Sequence, residues 1–354
     1  MVKITNGDKM SKEIDLEKYQ IRTDLALEAL ETLESKDEFK KDVEQVDDIL
    51  ITRVFIDKNA SSKIGKKVGN YITVDFDDVT DYDNKEKVKD VFAKELKQML
   101  KINKIKDDAS CLIIGLGNDH STPDALGPLV VNNVLVTSPL FDIGSISPGF
   151  RNTKAISPGV MGQTGIETSD LVMSVINLIK PDFVLVIDAL ASQSVERLNK
   201  TIQMTDTGIH PGSGIGNKRK EISKEILGLP VIAIGVPTVV DAVTIVSDTI
   251  NYMHKKYSYT KQNMNNPIDR LINPNALNYL NKDIVVKKED KTKLLGLVGN
   301  LSDNEVKQLI YEVLTPIGYN LMVTVKEVDF IMEKLSDIIG NGINKALHKE
   351  VKNL

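Results

Sequence analysis

Two aspartates stand where a carboxylate can be aimed. The segment Gly115-Leu116-Gly117-Asn118 ends an apolar run, and Ser121-Thr122-Pro123-Asp124-Ala125-Leu126-Gly127-Pro128 follows it closely. Two glycines allow a tight turn and close backbone approach, and Pro123 stiffens the chain just before Asp124. The dinucleotide-binding fingerprint needs a third glycine at position 120, which here is His120. Asp124 has a plainer reading as the cap of a helix starting near Ala125. Asp188 closes the apolar run FVLVIDALA over 183–191. An acid ending a buried strand is costly unless it is paired or opens on a crevice, so its position is informative. Its plainer reading is a solvent-facing strand end or a cap for the Ala-rich turn that follows. Two carboxylates within hydrogen-bond reach do not both ionise readily. One then keeps a proton and serves as acid, while the other acts as base on a water. Such a pair hydrolyses an amide with neither a metal nor a covalent intermediate.

A third feature is the loop TDTGIHPGSGIGNKRKE over 205–221. It is too rich in glycine for a regular element, and it fails the phosphate-loop spacing because the fifth residue after Gly212 is Asn217. A long polar loop of small residues is a substrate-facing candidate, with Lys218 and Arg219 able to meet acidic side chains. His210 is the histidine inside this loop. It reads either as structural or, with Asp124 and Asp188, as the third member of a two-carboxylate, one-histidine metal site. Ser169, Ser213 and Ser247 lie in no G-x-S-x-G turn and show no triad order. Cys111 sits in an apolar run, where a thiol serves as a small hydrophobe.

These groups need elements to hold them. Three short apolar runs, 111–118, 183–191 and 231–237, each end in a small-residue or acidic loop, and helical patterns lie between them over 168–179 and 239–257. Such runs fit strands buried on both faces, which is the pattern of an α/β fold with a mainly parallel sheet flanked by helices. Ligands bind beyond the carboxyl ends of such strands, so the loops starting at Gly115, Asp188 and Gly235 are expected to share one crevice. Residues 49–57 and 71–76 read as strands of an additional smaller sheet, joined across a Gly/Lys/Ser turn as a hairpin. A helix begins near Thr23 or Asp24 with Leu25, Ala29, Leu30 and Leu33 on one side, followed by a charged run over 34–48. Lys85 to Leu100 carries an amphipathic stripe of Val88, Val91, Phe92, Leu96 and Met99. Residues 1–20 are pattern-poor, about 258–295 form an Asn-rich, basic excursion, and amphipathic helices return over 303–314 and 325–347. There is no internal repeat.

Composition excludes several chemistries. With 41% hydrophobic and 27% charged residues the chain has ordinary globular composition, and it has no apolar stretch near the roughly 20 residues of a membrane span. The N-terminus lacks a basic cap and apolar core, so the expected location is cytoplasmic. One cysteine excludes an internal disulfide, and with four histidines it cannot build a Cys/His zinc cluster. A net charge of -5 argues against a protein that coats nucleic acid. The absence of Trp makes the core aliphatic.

The same residues resemble the germination protease family of spore-forming Firmicutes, endopeptidases of small acid-soluble spore proteins. The resemblance rests on YQIRTDLALEA (19–29), KDDASCLIIGLGN (106–118), TPDALGP (122–128) and PGVMGQTGIETSDLV (158–172). It continues in PDFVLVIDALAS (181–192), TIQMTDTGIHPGSGIGNKRKE (201–221) and PVIAIGVPTVVDAVTIVSDTI (230–250). GLVGNL (296–301) and YNLMVTVKEVDFIM (319–332) extend it over essentially the whole chain.

The resemblance implies an atypical aspartic peptidase without a cofactor, with Asp124 and Asp188 as its catalytic pair. It implies a zymogen whose propeptide, residues 1–20, is removed by self-cleavage near Gln20-Ile21, leaving 21–354 as one α/β peptidase domain. It further implies a homotetramer of the forespore, a fold similar to hydrogenase-maturation endopeptidases, and small acid-soluble spore proteins as partners, with no direct binding of nucleic acid or membrane. Those similar endopeptidases use metal, which keeps the His210 alternative open. A non-catalytic binder of spore proteins on the same fold is the remaining alternative. One departure stands out: Asp119, His120 and Ser121 replace the family's usual W-N-V before T-P-D, with the length kept.

Overall fold

The computed structural model describes residues 23–31, 41–210, 220–264, 284–314 and 321–351. These fall in two compact units, one within Arg22–Ala242 and Met322–Leu354, the other within Val243–Leu321. The first unit opens with α1 (Ala26–Glu31), β1 (Lys41–Val46), β2 (Ile49–Ile56), α2 (Lys58–Ile64), β3 (Gly69–Asp75) and α3 (Tyr82–Ile102). There follow β4 (Cys111–Gly115), α4 (Leu126–Asn133), α5 (Ser138–Asp142), β5 (Thr153–Ile156), α6 (Met161–Thr164) and α7 (Thr168–Ile179). Next come β6 (Phe183–Ser192), β7 (Thr201–Thr205), α8 (Lys224–Leu227) and β8 (Val231–Asp241). The second unit holds α9 (Ala242–Gln262, its first residue belonging to the sheet unit), α10 (Lys288–Leu295) and α11 (Asp303–Leu314). The chain then returns to the first unit with β9 (Met322–Val323) and α12 (Val328–Leu347).

All nine described strands join one sheet in the order β1-β2-β3-β7-β8-β6-β4-β5, with β9 added to β8. The half β8-β6-β4-β5 is parallel, as the three apolar runs predict, and the half from β1 to β8 is antiparallel. The strands expected as a separate smaller sheet therefore continue the main one. The reason is β7, which pairs antiparallel with β3 on one edge and β8 on the other. The connection from β2 to β3 also differs from a simple hairpin. Asp57 accepts from the Ala60 N–H as an N-cap and Gly65 ends the turn in the left-handed region, so α2 forms between the strands.

Both faces of the parallel half are covered. Along β6, Leu185 and Ile187 face one core with Phe92, Leu96, Leu126, Met332 and Ile339, while Val184 and Val186 face another with Val172 and Ile176 of α7. That two-sided burial is why these strands read as unbroken apolar runs instead of alternating ones. A third cluster sets Ala26, Leu27 and Leu30 of α1 on Val54, Ile56 and Tyr71. In the second unit, a Cβ on Gly299 would lie 2.2 Å from the Lys291 carbonyl oxygen, so only glycine lets that turn close on α10. Of the 258–295 excursion, 265–283 lies outside the described residues. Among the described residues no helix is long and apolar enough to cross a membrane.

Candidate active site

The turn that carries Asp124 is built by backbone contact. Where β4 ends, a Cβ on Gly115 would stand 2.2 Å from the Gly127 carbonyl oxygen, and one on Gly127 would stand 2.1 Å from that of Leu116. Glycine at both positions thus lets the strand end touch the first turn of α4. Gly117 has φ 119°, and the Asn118 N–H donates to the Asp124 carbonyl oxygen at 2.9 Å. The Ser121 N–H donates to Asn118 O at 3.1 Å and the Asp124 N–H to Ser121 O at 2.8 Å, closing a single 3-10 turn over Thr122–Asp124. The Thr238 hydroxyl, from β8, donates to the Pro123 carbonyl oxygen at 2.6 Å and ties the turn to the sheet.

Asp188 lies inside β6, opposite Gly235 of β8. It is 6% exposed, and its Oδ1 accepts from the Ala189 N–H at 3.0 Å. One residue earlier, the Ile187 carbonyl oxygen accepts from the Leu116 N–H at 2.8 Å, which joins the Asp188 strand to the start of the Asp124 turn. The Thr122–Asp124 turn packs against both β6 and β8. Asp124 thus stands in the turn beyond the carboxyl end of β4, the usual ligand position of this architecture. Asp188, expected to close its strand, instead lies within β6, which runs on to Ser192 because it stays paired with β8 as far as Val240.

A second loop braces the first. The Gln163 amide donates to Asn118 Oδ1 at 2.8 Å and Asp119 Oδ1 at 2.9 Å, and its oxygen accepts from the Val160 N–H at 3.3 Å. The bond from Gln163 holds the Asp119 carboxyl below the usual carboxylate range. His120 is exposed, its Nε2 3.9 Å from Asp119 Oδ1.

His210 sits at the foot of the glycine-rich loop, where Ile209 and Ile222 exchange backbone hydrogen bonds at 2.9 Å. Its half-exposed ring faces Glu221, with Nε2 3.5 Å from Oε2, and Glu221 also meets Lys67. Among the described residues no cluster of three or more His, Cys, Asp or Glu is placed to hold a metal ion. Lys218 and Arg219, and Gln20 and Ile21 of the expected cut, lie outside the described residues.

Several supporting groups were not legible beforehand. Thr238 looks like one more residue of an apolar run, and only its position opposite Pro123 gives it a role. Gln163 has no local pattern to mark it. Glu28 left a fainter signal, a carboxylate between Leu27 and Ala29 in a helix whose other residues as far as Leu30 are buried.

Comparison with known proteins matches nearly the full chain to one family. The family model described as Germination protease matches residues 15–354. The germination proteases of Bacillus cereus and Bacillus thuringiensis subsp. konkukian are each 49% identical over 358 residues, covering 97% of this chain and 97% of theirs. That of Bacillus anthracis is 49% identical over 359 residues, with the same coverage. Among solved structures, a nickel–iron hydrogenase maturation protease from Thermococcus kodakarensis matches 41% of this chain and 80% of its own, at 19% identity and a TM-score of 0.27.

Proposed function

Because the chain belongs to the germination protease family, we propose that it cleaves small acid-soluble, DNA-protecting spore proteins during germination, with Asp124 and Asp188 as its catalytic pair. A protease role in spore germination follows from the family. The observation that carries it is that the turn bearing Asp124 packs against β6, the strand that bears Asp188, and is joined to it through the Leu116–Ile187 hydrogen bond.

The chemistry follows from two acids sharing one proton. The ionised carboxylate takes a proton from a water between them, and the oxygen of that water attacks the peptide carbonyl carbon. The protonated partner hydrogen-bonds the carbonyl oxygen as negative charge develops there. When the tetrahedral intermediate collapses, the C–N bond breaks and the leaving amine takes a proton, returning the pair to its singly protonated state. The loop that bears His210 faces the substrate, and its Lys218 and Arg219 supply cations for acidic substrate side chains. Residues 1–20 act as a propeptide that keeps the enzyme inactive until a cut near Gln20-Ile21, and the active form is a homotetramer of the forespore.

The test uses the full chain. Asp124→Asn and Asp188→Asn are each expected to abolish self-processing and cleavage of a purified small acid-soluble spore protein, with unfolding curves like those of the unsubstituted protein. Fragments released by either folded variant would remove the pair from the mechanism.

A further inference from the structure

The edge of β6 changes partner beside Asp188. Up to Ile187 that edge is covered by β4, whose last contact is the Leu116 N–H on Ile187 O. β4 then turns away through the glycines. Ala191, four residues on and so on the same edge of a two-residue repeat, is taken up by the chain start instead. Its carbonyl oxygen accepts from the Asp24 N–H at 3.0 Å, and its N–H donates to Asp24 Oδ2 at 2.8 Å.

This replacement segment is itself fastened. Gln203 of β7 accepts from the Ala26 N–H at 2.7 Å and donates to Asp24 O at 3.2 Å. Lys66 donates to Thr23 O at 2.7 Å. Beyond it, Glu28 reaches under the turn that leaves β6. It is 4% exposed, and its two oxygens accept from the Gln193 N–H at 2.7 Å and the Ser194 N–H at 3.0 Å. The Thr23 hydroxyl also donates to it, and Arg197 Nε lies 3.8 Å away. Burying a carboxylate is costly, and two backbone donors on one such group are a strong, directional tie.

We propose that Glu28 is a positioning residue of the peptidase: together with Asp24 it fixes the end of β6 beyond Asp188, from a segment that lies after the expected cut and is retained in the processed enzyme. Asp188 is thereby held between two anchors, Leu116 before it and the Asp24–Glu28 segment after it. This rests on the reading of Asp188 as catalytic. Misplacing a reacting group by about 1 Å costs on the order of a hundredfold in rate, so loosening the second anchor lowers turnover without removing any group that touches substrate.

Glu28→Gln keeps the shape but presents an N–H to one of the two backbone donors. It is expected to lower kcat on a small acid-soluble spore protein by about 10- to 100-fold with KM unchanged. Amide exchange at Ala191 and Gln193 quickens while that of β4 does not. Asp24→Asn, whose amide oxygen still accepts from Ala191, retains kcat, and Asp24→Ala loses it. A folded Glu28→Gln variant with unaltered kcat overturns the proposal. If that variant does not fold, equal kcat in Asp24→Ala and Asp24→Asn overturns it. The Asp188→Asn variant assayed alongside separates the two readings, because activity retained there refutes the catalytic pair and not merely its positioning.

Discussion

Gly117 shows how much of the site depends on a missing side chain. Its φ of 119° lies where L residues rarely go, and a Cβ there would sit 1.9 Å from the Asp124 carbonyl oxygen that the neighbouring Asn118 N–H holds. Gly117→Ala therefore has to open the turn and move Asp124. We expect at least a hundredfold loss of peptide cleavage and a stability cost of about 1–3 kcal/mol, read from turnover and from the urea midpoint of the same preparation. Near-normal turnover would show that Asp124 need not be held by this turn. The glycine pair was legible in the sequence as a tight turn, because spacing after an apolar run is a local signal. The clash that makes Gly117 obligatory was not, since it involves an atom seven residues away.

Among the elements, α12 shows the limits of local reading most clearly. Its amphipathic pattern was visible, but its two glycines look like weaknesses in a helix. In the fold they are contact points. A Cβ on Gly342 would lie 2.4 Å from Cδ1 of Phe92, a fully buried ring on α3, and one on Gly340 would lie 2.5 Å from the Asn133 Cβ at the end of α4. Gly342→Ala is predicted to destabilise by about 1–3 kcal/mol, seen as a lower thermal midpoint, while the protein that remains folded cleaves at the normal rate. An unchanged midpoint would mean that α3 and α12 can separate freely. Strands split along similar lines. β4, β6 and β8 were readable because burial on both faces makes continuous apolar runs. β1 lies inside a charged stretch and has mostly exposed side chains, so its strand character comes from pairing with β2 alone. β7 alternates apolar residues with Thr201, Gln203 and Thr205, all of them buried. No local rule announces a buried polar face.

At the scale of the whole molecule, pH acts through buried groups that only the fold brings together. His348, at the end of α12, is 1% exposed and accepts from the Arg151 N–H at its Nδ1, 3.2 Å away. Burial, aided by the nearby Arg151 charge, pushes its pKa down to about 4 from an ordinary 6.5. The unfolded chain therefore takes up a proton near pH 6.5 that the folded protein refuses until about pH 4. This group's contribution to stability is complete above pH 6.5 and shrinks as pH falls through that window. His348→Gln, which can still accept the Arg151 N–H, should show a smaller fall in urea midpoint between pH 7.5 and 4.5 than the unsubstituted protein. Parallel curves would refute the assignment. The amino-acid sequence by itself determined what local chemistry can encode: the α/β order, the apolar strands, and the glycine turn after β4 that carries Asp124. That β6 and β8 run on past Asp188 and Gly235 was not legible, because their mutual pairing sets that extension. The tertiary structure alone decided that the two halves form one sheet, that His210 faces Glu221, and that the chain start supports the strand bearing Asp188. These are contacts between residues far apart in the chain, such as Glu28 with Gln193 and Asp24 with Ala191. A spacing rule sees only near neighbours, and chain packing decides the rest.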